Sequence, residues 1–239
     1  MINDRMQLSG LTATNLKIIA VVAMVIDHSA WAFVPTYTPL AALMHFIGRS
    51  CAPIMCYFIA EGYFHTRSIK KYALRLFAFA VISHFPFSLF FHKVELGFSL
   101  RTSMIFTLFC GLVAVCAWYK LKSPVLKTLA ILACVYASTF ADWPIYGVLF
   151  ILCFAVFHYN RNLGFLVYSG LVLIKLMSSV SVSNFSLYTF IPNLGMLIPL
   201  LFFYLYNGQL GCKKGSKTKW LFYIIYPLQF IIIVLIKQL

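Results

Sequence analysis

Asp27 and His28 stand side by side near the end of the first long apolar run, Leu11–Phe33, where nothing explains them as packing. A carboxylate and an imidazole in the hydrocarbon part of a helix are costly unless paired or hydrated, so such residues point to function by default. Together they suit general-base chemistry, in which a carboxylate fixes the imidazole tautomer and supports the charge the ring gains with a proton. Arg49, with His45 one turn before it, His84, Arg101 and Asp142 fall near the same ends of other apolar runs. Polar groups from four or five segments thus share one depth. The structural alternatives are an Asp27–Arg49 ion pair that staples two helices, Asp142 as a helix cap before Trp143 and Pro144, and His45 as an interface residue.

A second polar group lies at the opposite depth. Tyr57, Glu61 and His65 are spaced i, i+4 and share one helix face, and Arg67, Lys71 and Arg75 continue at that spacing, with Lys70 beside them. Three readings fit: Glu61 paired with one of these bases, a dock for a polyanionic cytosolic ligand, or attraction to anionic lipid.

The elements that must position these residues are membrane helices. Of 239 residues 62% are hydrophobic and only 10% charged, too few charges to clothe a soluble domain. Apolar runs fall near 11–33, 43–64, 69–91, 103–119, 125–140, 144–158, 163–177, 191–206 and 219–236, and roughly 20 residues suffice to cross a bilayer. The expected fold is an all-α, polytopic transmembrane bundle of about nine spans, one domain over 1–239. Pro35 and Pro39 punctuate the first turn, and Pro124, Pro144 and Pro192 are expected at helix starts. Leu11–Phe33 is longer than a signal core and has no small-x-small site after it, so it is expected to remain in the mature protein.

The net charge of +14, from 19 Lys and Arg against 5 Asp and Glu, does not indicate nucleic acid, because the bases collect in alternate short loops. Arg67, Lys70, Lys71 and Arg75, then Lys120, Lys122 and Lys127, then Arg161, then Lys213, Lys214, Lys217 and Lys219 mark one side. The turns at 34–42 and 141–146 hold no Lys or Arg. The positive-inside rule then predicts a cytoplasmic N-terminus and an extracytoplasmic C-terminus. With about 1.5 Å of rise per residue, Asp27 lies about 24 Å along the first span from Leu11, in its outer third. Lys175, near an outer end, reads as a snorkelling lysine.

Seven cysteines, odd in number and without a CxxC pair, suggest packing residues rather than disulfides or zinc. No Walker loop, GxGxxG or HExxH occurs, which argues against ATP-driven transport, dinucleotide chemistry and zinc proteolysis. No ligand spacing supports a metal held by His28, His84 and Asp27.

Over nearly its whole length the chain resembles the TraX family of integral membrane proteins. The resemblance is carried by Leu16-Lys17-Ile18-Ile19 leading to Ile26-Asp27-His28, Ile47-Gly48-Arg49 with Pro53, and Glu61-Gly62-Tyr63-Phe64-His65-Thr66-Arg67, the most specific piece. Tyr72, Arg75-Leu76, Phe106-Thr107-Leu108, Asp142 with Tyr146-Gly147-Val148-Leu149, and Leu205-Tyr206-Asn207-Gly208 complete it. It implies an acetyltransferase-like function in a bacterial inner membrane, because the family's namesake acetylates the N-terminus of conjugative pilin. Acetyl-CoA would be the cytosolic acyl donor, and the acceptor an amine or hydroxyl of a protein or small molecule at the membrane or its outer face.

Under this resemblance CoA's phosphates meet Arg67, Lys70, Lys71 and Arg75, with Glu61 and His65 beside them. His28 or His84 acts as general base, Asp27 orients it, and Arg49 stabilises charge on the thioester oxygen. Direct transfer and transfer through an acetyl-histidine both remain open. One position departs from the family pattern: a histidine is expected two residues after Tyr226-Pro227, where this chain has Gln229. The rival readings are a non-catalytic assembly or scaffold subunit, and a proton- or cation-coupled transporter working through Asp27, His28, His84 and Glu61.

Overall fold

The structure, a computed structural model, describes residues 10–92, 101–178, 186–212 and 218–238. Each apolar run is occupied by helix. In chain order these are α1 (Ala13–Phe33), α2 (Pro39–Gly48), α3 (Cys51–His65), α4 (Ile69–His92), α5 (Met104–Lys120) and α6 (Pro124–Ser138). They continue with α7 (Tyr146–Val156), α8 (Arg161–Ser178), α9 (Leu187–Leu194), a 3-10 turn (Gly195–Leu197), α10 (Ile198–Leu205) and α11 (Thr218–Gln238). Five stretches are long and apolar enough to cross a membrane: Ala13–Phe33, Pro39–His65, Ile69–Phe91, Leu187–Leu205 and Trp220–Gln238. Met104–Lys120, Pro124–Ser138 and Tyr146–Val156 are apolar but shorter. These are the helices of an integral membrane protein.

The helix starts follow local chemistry. Thr12 and Asn15 form a reciprocal capping box for α1. At α2 the Thr38 hydroxyl accepts from the Ala41 amide at 3.2 Å and Pro39 sits in the first turn, so helix begins several residues before the apolar run does. The second run is not continuous: helix breaks at Arg49 and Ser50, between α2 and α3. Pro192 lies inside α9 rather than at a start, and that helix ends two residues later.

α1 shows how such a helix chooses its face. It is apolar nearly all round, so hydrophobicity alone selects no side. Residues recurring at helical spacing (Leu16, Ala20, Ala23, Met24, His28), two of them alanines, are buried, and Ile18, Val22 and Val25 are exposed. Close approach through small residues is how helices associate in lipid. α1 packs on α2, α3 and α11, α4 packs on α5 and α11, and α3, α5 and α7 pack together at the centre, with α2 against α9. Gly195 lets the 3-10 turn touch the Phe46 carbonyl of α2, where a Cβ would collide.

Two short bridges tie the helix ends. On the near side, where α1 starts, Leu11 pairs with Tyr206: its amide donates to Leu205 O at 2.9 Å, and the Asn207 amide donates back at 3.0 Å. On the far side, where α1 finishes, Thr102 pairs with Ala141 through bonds of 2.7 and 2.9 Å. Of the basic loop expected before the last span, Lys213, Lys214, Lys217 and the side chain of Lys219 lie outside the described residues.

Candidate active site

α1, α3, α4, α5 and α11 enclose a cavity of about 930 Å³ that joins the two polar groups. Its near end is lined by Lys17, His65, Thr66, Arg75, Leu210 and Phe222, and its far end by Asp27, His28, Arg49, Arg101, Asp142 and Lys175. Lys17 and Asp27 are ten residues apart on α1, about 15 Å by helical rise, so one chamber covers most of a helix length.

At the far end Asp27 bonds His45, with Oδ1 and Nδ1 2.9 Å apart and both side chains largely buried. Gly48 makes room for this carboxylate, since a Cβ there would fall on the Asp27 side chain. Asp27 therefore orients His45 and not its neighbour His28, because consecutive helical residues point about 100° apart. The His45 ring in turn leans on Trp31 at 4.7 Å.

His28 is buried among rings, 4.6 Å from Phe230 and about 6 Å from Phe90 and Phe91. Gln229 of α11 neighbours it, yet neither the Gln229 amide nor His28 Nδ1 closes a bond within 3.5 Å among the described residues. The position where the family pattern departs thus falls directly against the candidate base. His84 of α4 is not among the residues lining the cavity, so the structure brings His28, Asp27 and Arg49 to one chamber and leaves His84 outside it.

Arg49 follows the last turn of α2, its guanidinium 5.5 Å over the Trp143 ring. The loop carrying Trp143 is strained into place, with Trp143 and Ile145 both at φ 57°, a conformation side chains of this bulk avoid. It is held by the Thr102–Ala141 bridge, by a hydrogen bond from the Thr107 hydroxyl to Asp142 O, and by the Ile145 amide bonded to the Ser138 hydroxyl at 3.1 Å. The same bridge sets Arg101 beside Asp142. Burial pushes the Asp142 carboxyl above the ordinary range, and the charges of Arg49, His28 and Arg101 pull it back. Lys175 also turns inward, 5.7 Å over Trp143 and 4.6 Å over Tyr146. It lines the cavity rather than reaching only for headgroups.

The second polar group divides. His65 and Arg75 line the cavity, while Arg67, Lys70 and Lys71 are exposed outside it. Glu61 faces a separate small recess with Tyr57 and Arg161. It pairs with His158 at 3.2 Å and more loosely with His65 at 3.8 Å, and with none of the expected bases. All seven cysteines are free thiols.

Sequence reasoning passed over Lys17 and the partnership of His45. Lys17 entered only within the Leu16-Lys17-Ile18-Ile19 stretch of the resemblance, although a lysine about one turn inside an apolar helix is itself a signal.

The family model described as TraX protein matches residues 12–237. A probable fimbrial assembly protein, FimC, from Dichelobacter nodosus is 32% identical over 229 residues, covering 90% of this chain and 91% of that protein. No solved structure matches the chain.

Proposed function

The chain belongs to the TraX family, and from that premise we propose that it is a membrane acetyltransferase. It takes the acetyl group of cytosolic acetyl-CoA and delivers it to an amine or hydroxyl on the other side, a fimbrial or pilin component being the first candidate. The single observation that carries this reading is the cavity joining a basic near end to an Asp–His–Arg far end. Inert bundles have no need of such a chamber, and a long thin donor does. In this reading about nine spans put the near side in the cytoplasm of a bacterial inner membrane, in keeping with the loop charges.

The residues then divide the work. Exposed Arg67, Lys70 and Lys71 draw the polyanionic donor to the near rim, where His65 and Arg75 receive its phosphates. At the far end His28 takes the proton from the acceptor N–H or O–H as its lone pair bonds the thioester carbon. The C–S bond breaks, and His28 returns the proton to the sulfur. Arg49 faces the negative charge that develops on the carbonyl oxygen, a role in which one donor contributes roughly 3–4 kcal/mol. The Asp27–His45 pair fixes α1 against α2, and Gln229 packs beside His28.

The deciding assay mixes purified protein, radiolabelled acetyl-CoA and peptides bearing pilin-like N-termini, and measures CoA release and acceptor-bound label. Release that depends on His28 supports the enzyme. Absence of release and of donor binding across amine and hydroxyl acceptors sinks it. A second reading, a non-catalytic assembly subunit, is favoured by the description of the FimC relative as a probable fimbrial assembly protein and by Gln229. It expects fimbrial assembly to survive His28→Ala.

A further inference from the structure

The described residues include only three carboxylates, Asp27, Glu61 and Asp142, and each is committed. Asp27 bonds His45, Glu61 pairs with His158 and His65, and Asp142 lies within the field of Arg49 and Arg101 at the far end. None serves Lys17 or Arg75 at the near end, and among the described residues neither forms an ion pair. Both line the cavity.

Rings hold them instead. Lys17 Nζ lies 4.9 Å over Phe58 and 5.9 Å from the Phe222 ring centre. The Arg75 guanidinium lies 5.6 Å over Tyr72, with the Tyr223 hydroxyl beside it, and Arg75 Nε is buried without a hydrogen bond. Aromatic faces steady a cation without neutralising it. Two such cations lining one low-dielectric cavity are stabilised by a bound anion.

We propose that Lys17 and Arg75, walled by Tyr72, Phe222 and Tyr223, form a seat for the diphosphate of a nucleotide ligand inside the cavity. The assignment rests on the acyl-donor reading and joins Lys17, a residue without a role so far, to Arg75 as the main phosphate contact. Arg offers a planar fork and Lys a point charge, the two ways side chains grip phosphate oxygens. A ligand anchored there has its arm aligned with the chamber, and Asp27 and His28 lie about 15 Å further along α1.

The test titrates full-length protein in neutral detergent with ADP, with inorganic diphosphate and with CoA, following binding by calorimetry. Wild type is expected to bind all three. Lys17→Gln and Arg75→Gln should each weaken binding at least tenfold at unchanged Tm, Lys17→Arg should restore it, and Lys127→Gln on α6 should match wild type. Unchanged affinity for ADP in Lys17→Gln, or no binding of ADP and diphosphate by wild type, overturns the seat. A nanodisc arm separates the two sources of phosphate. If phosphatidylglycerol displaces ADP, or if Lys17→Gln alters only the affinity for that lipid, the seat holds a headgroup and the nucleotide assignment falls. Lys17-dependent ADP binding without acetyl transfer leaves the seat standing and removes the enzyme reading. Transfer that is indifferent to Lys17→Gln removes the seat alone.

Discussion

Asp27 Oδ1 and His45 Nδ1 meet at 2.9 Å across the α1–α2 contact, in a gap that exists because residue 48 has no side chain. Gly48→Ala should therefore act on the pair rather than on the helix. The added Cβ falls on the Asp27 carboxylate, and such overpacking costs about 1–3 kcal/mol. A lower Tm in detergent together with lost acetyl transfer is expected. Gly48→Ala that matches wild type in both would show that the two helices do not approach so closely.

Removing one partner of the pair leaves the other unsatisfied, at about 1–3 kcal/mol. His45→Ala and Asp27→Ala should destabilise similarly, and the double variant should cost less than their sum. A double-mutant cycle on Tm or denaturant midpoint measures this directly. Additive losses would mean that the pair is incidental.

His28 lines the cavity and His84 does not. His28→Ala is expected to slow transfer by about 10²–10⁴-fold, the range of a positioned general base, while His84→Ala stays within a few-fold. Initial rates of CoA release at saturating donor distinguish them. The reverse pattern would move the chemistry to α4.

Arg49→Lys keeps the charge and loses the planar fork over Trp143. A fall in kcat of about 10²–10³-fold with KM for the donor nearly unchanged is the signature of a contact made in the transition state. A change confined to KM would instead make Arg49 a binding residue.

Gln229 buries an amide beside His28 without closing either hydrogen bond. Gln229→Leu should leave Tm equal or raise it, since an unsatisfied buried amide is a cost, and should lower transfer. Gln229→His should retain transfer and alter its pH profile by placing a second titrating ring beside the first. Thermal melts and rates taken on the same preparations separate a positioning role from a packing role.

Asp142 sets a pH dependence. Burial raises its carboxyl in the folded protein above the unfolded value, so the native state binds its proton more tightly than the unfolded chain does. The stability it contributes is present in acid and declines as pH rises through the ordinary carboxylate range to the raised folded value. Asp142→Asn should flatten that decline. A steeper loss in the variant would reverse the assignment.

Much of the architecture was legible because apolar runs between charged loops are strong signals, and every run carries helix. The break at Arg49 and Ser50 was not, since a run of apolar residues reads alike across one helix or two. The shared depth of the candidate residues was legible from type and position: Asp27, His28, Arg49 and Asp142 line one chamber. Pairing was harder. Adjacency in sequence pointed Asp27 at His28, whereas helical geometry sends the two side chains apart and gives Asp27 to His45. Lys17 was hidden by its place near a helix start, where basic residues are ordinary, and only tertiary contacts with Phe58 and Phe222 show it turned inward.

The bundle also constrains how the protein is made. α1 packs against α11, which is synthesised long after it, and Leu11 is stitched to Tyr206. Until α11 has been made, the helix bearing Lys17, Asp27 and His28 lacks one of its packing partners and must be sheltered from lipid by whatever inserts it. Closure of the chamber therefore waits on a helix far along the chain from the one that carries its charges.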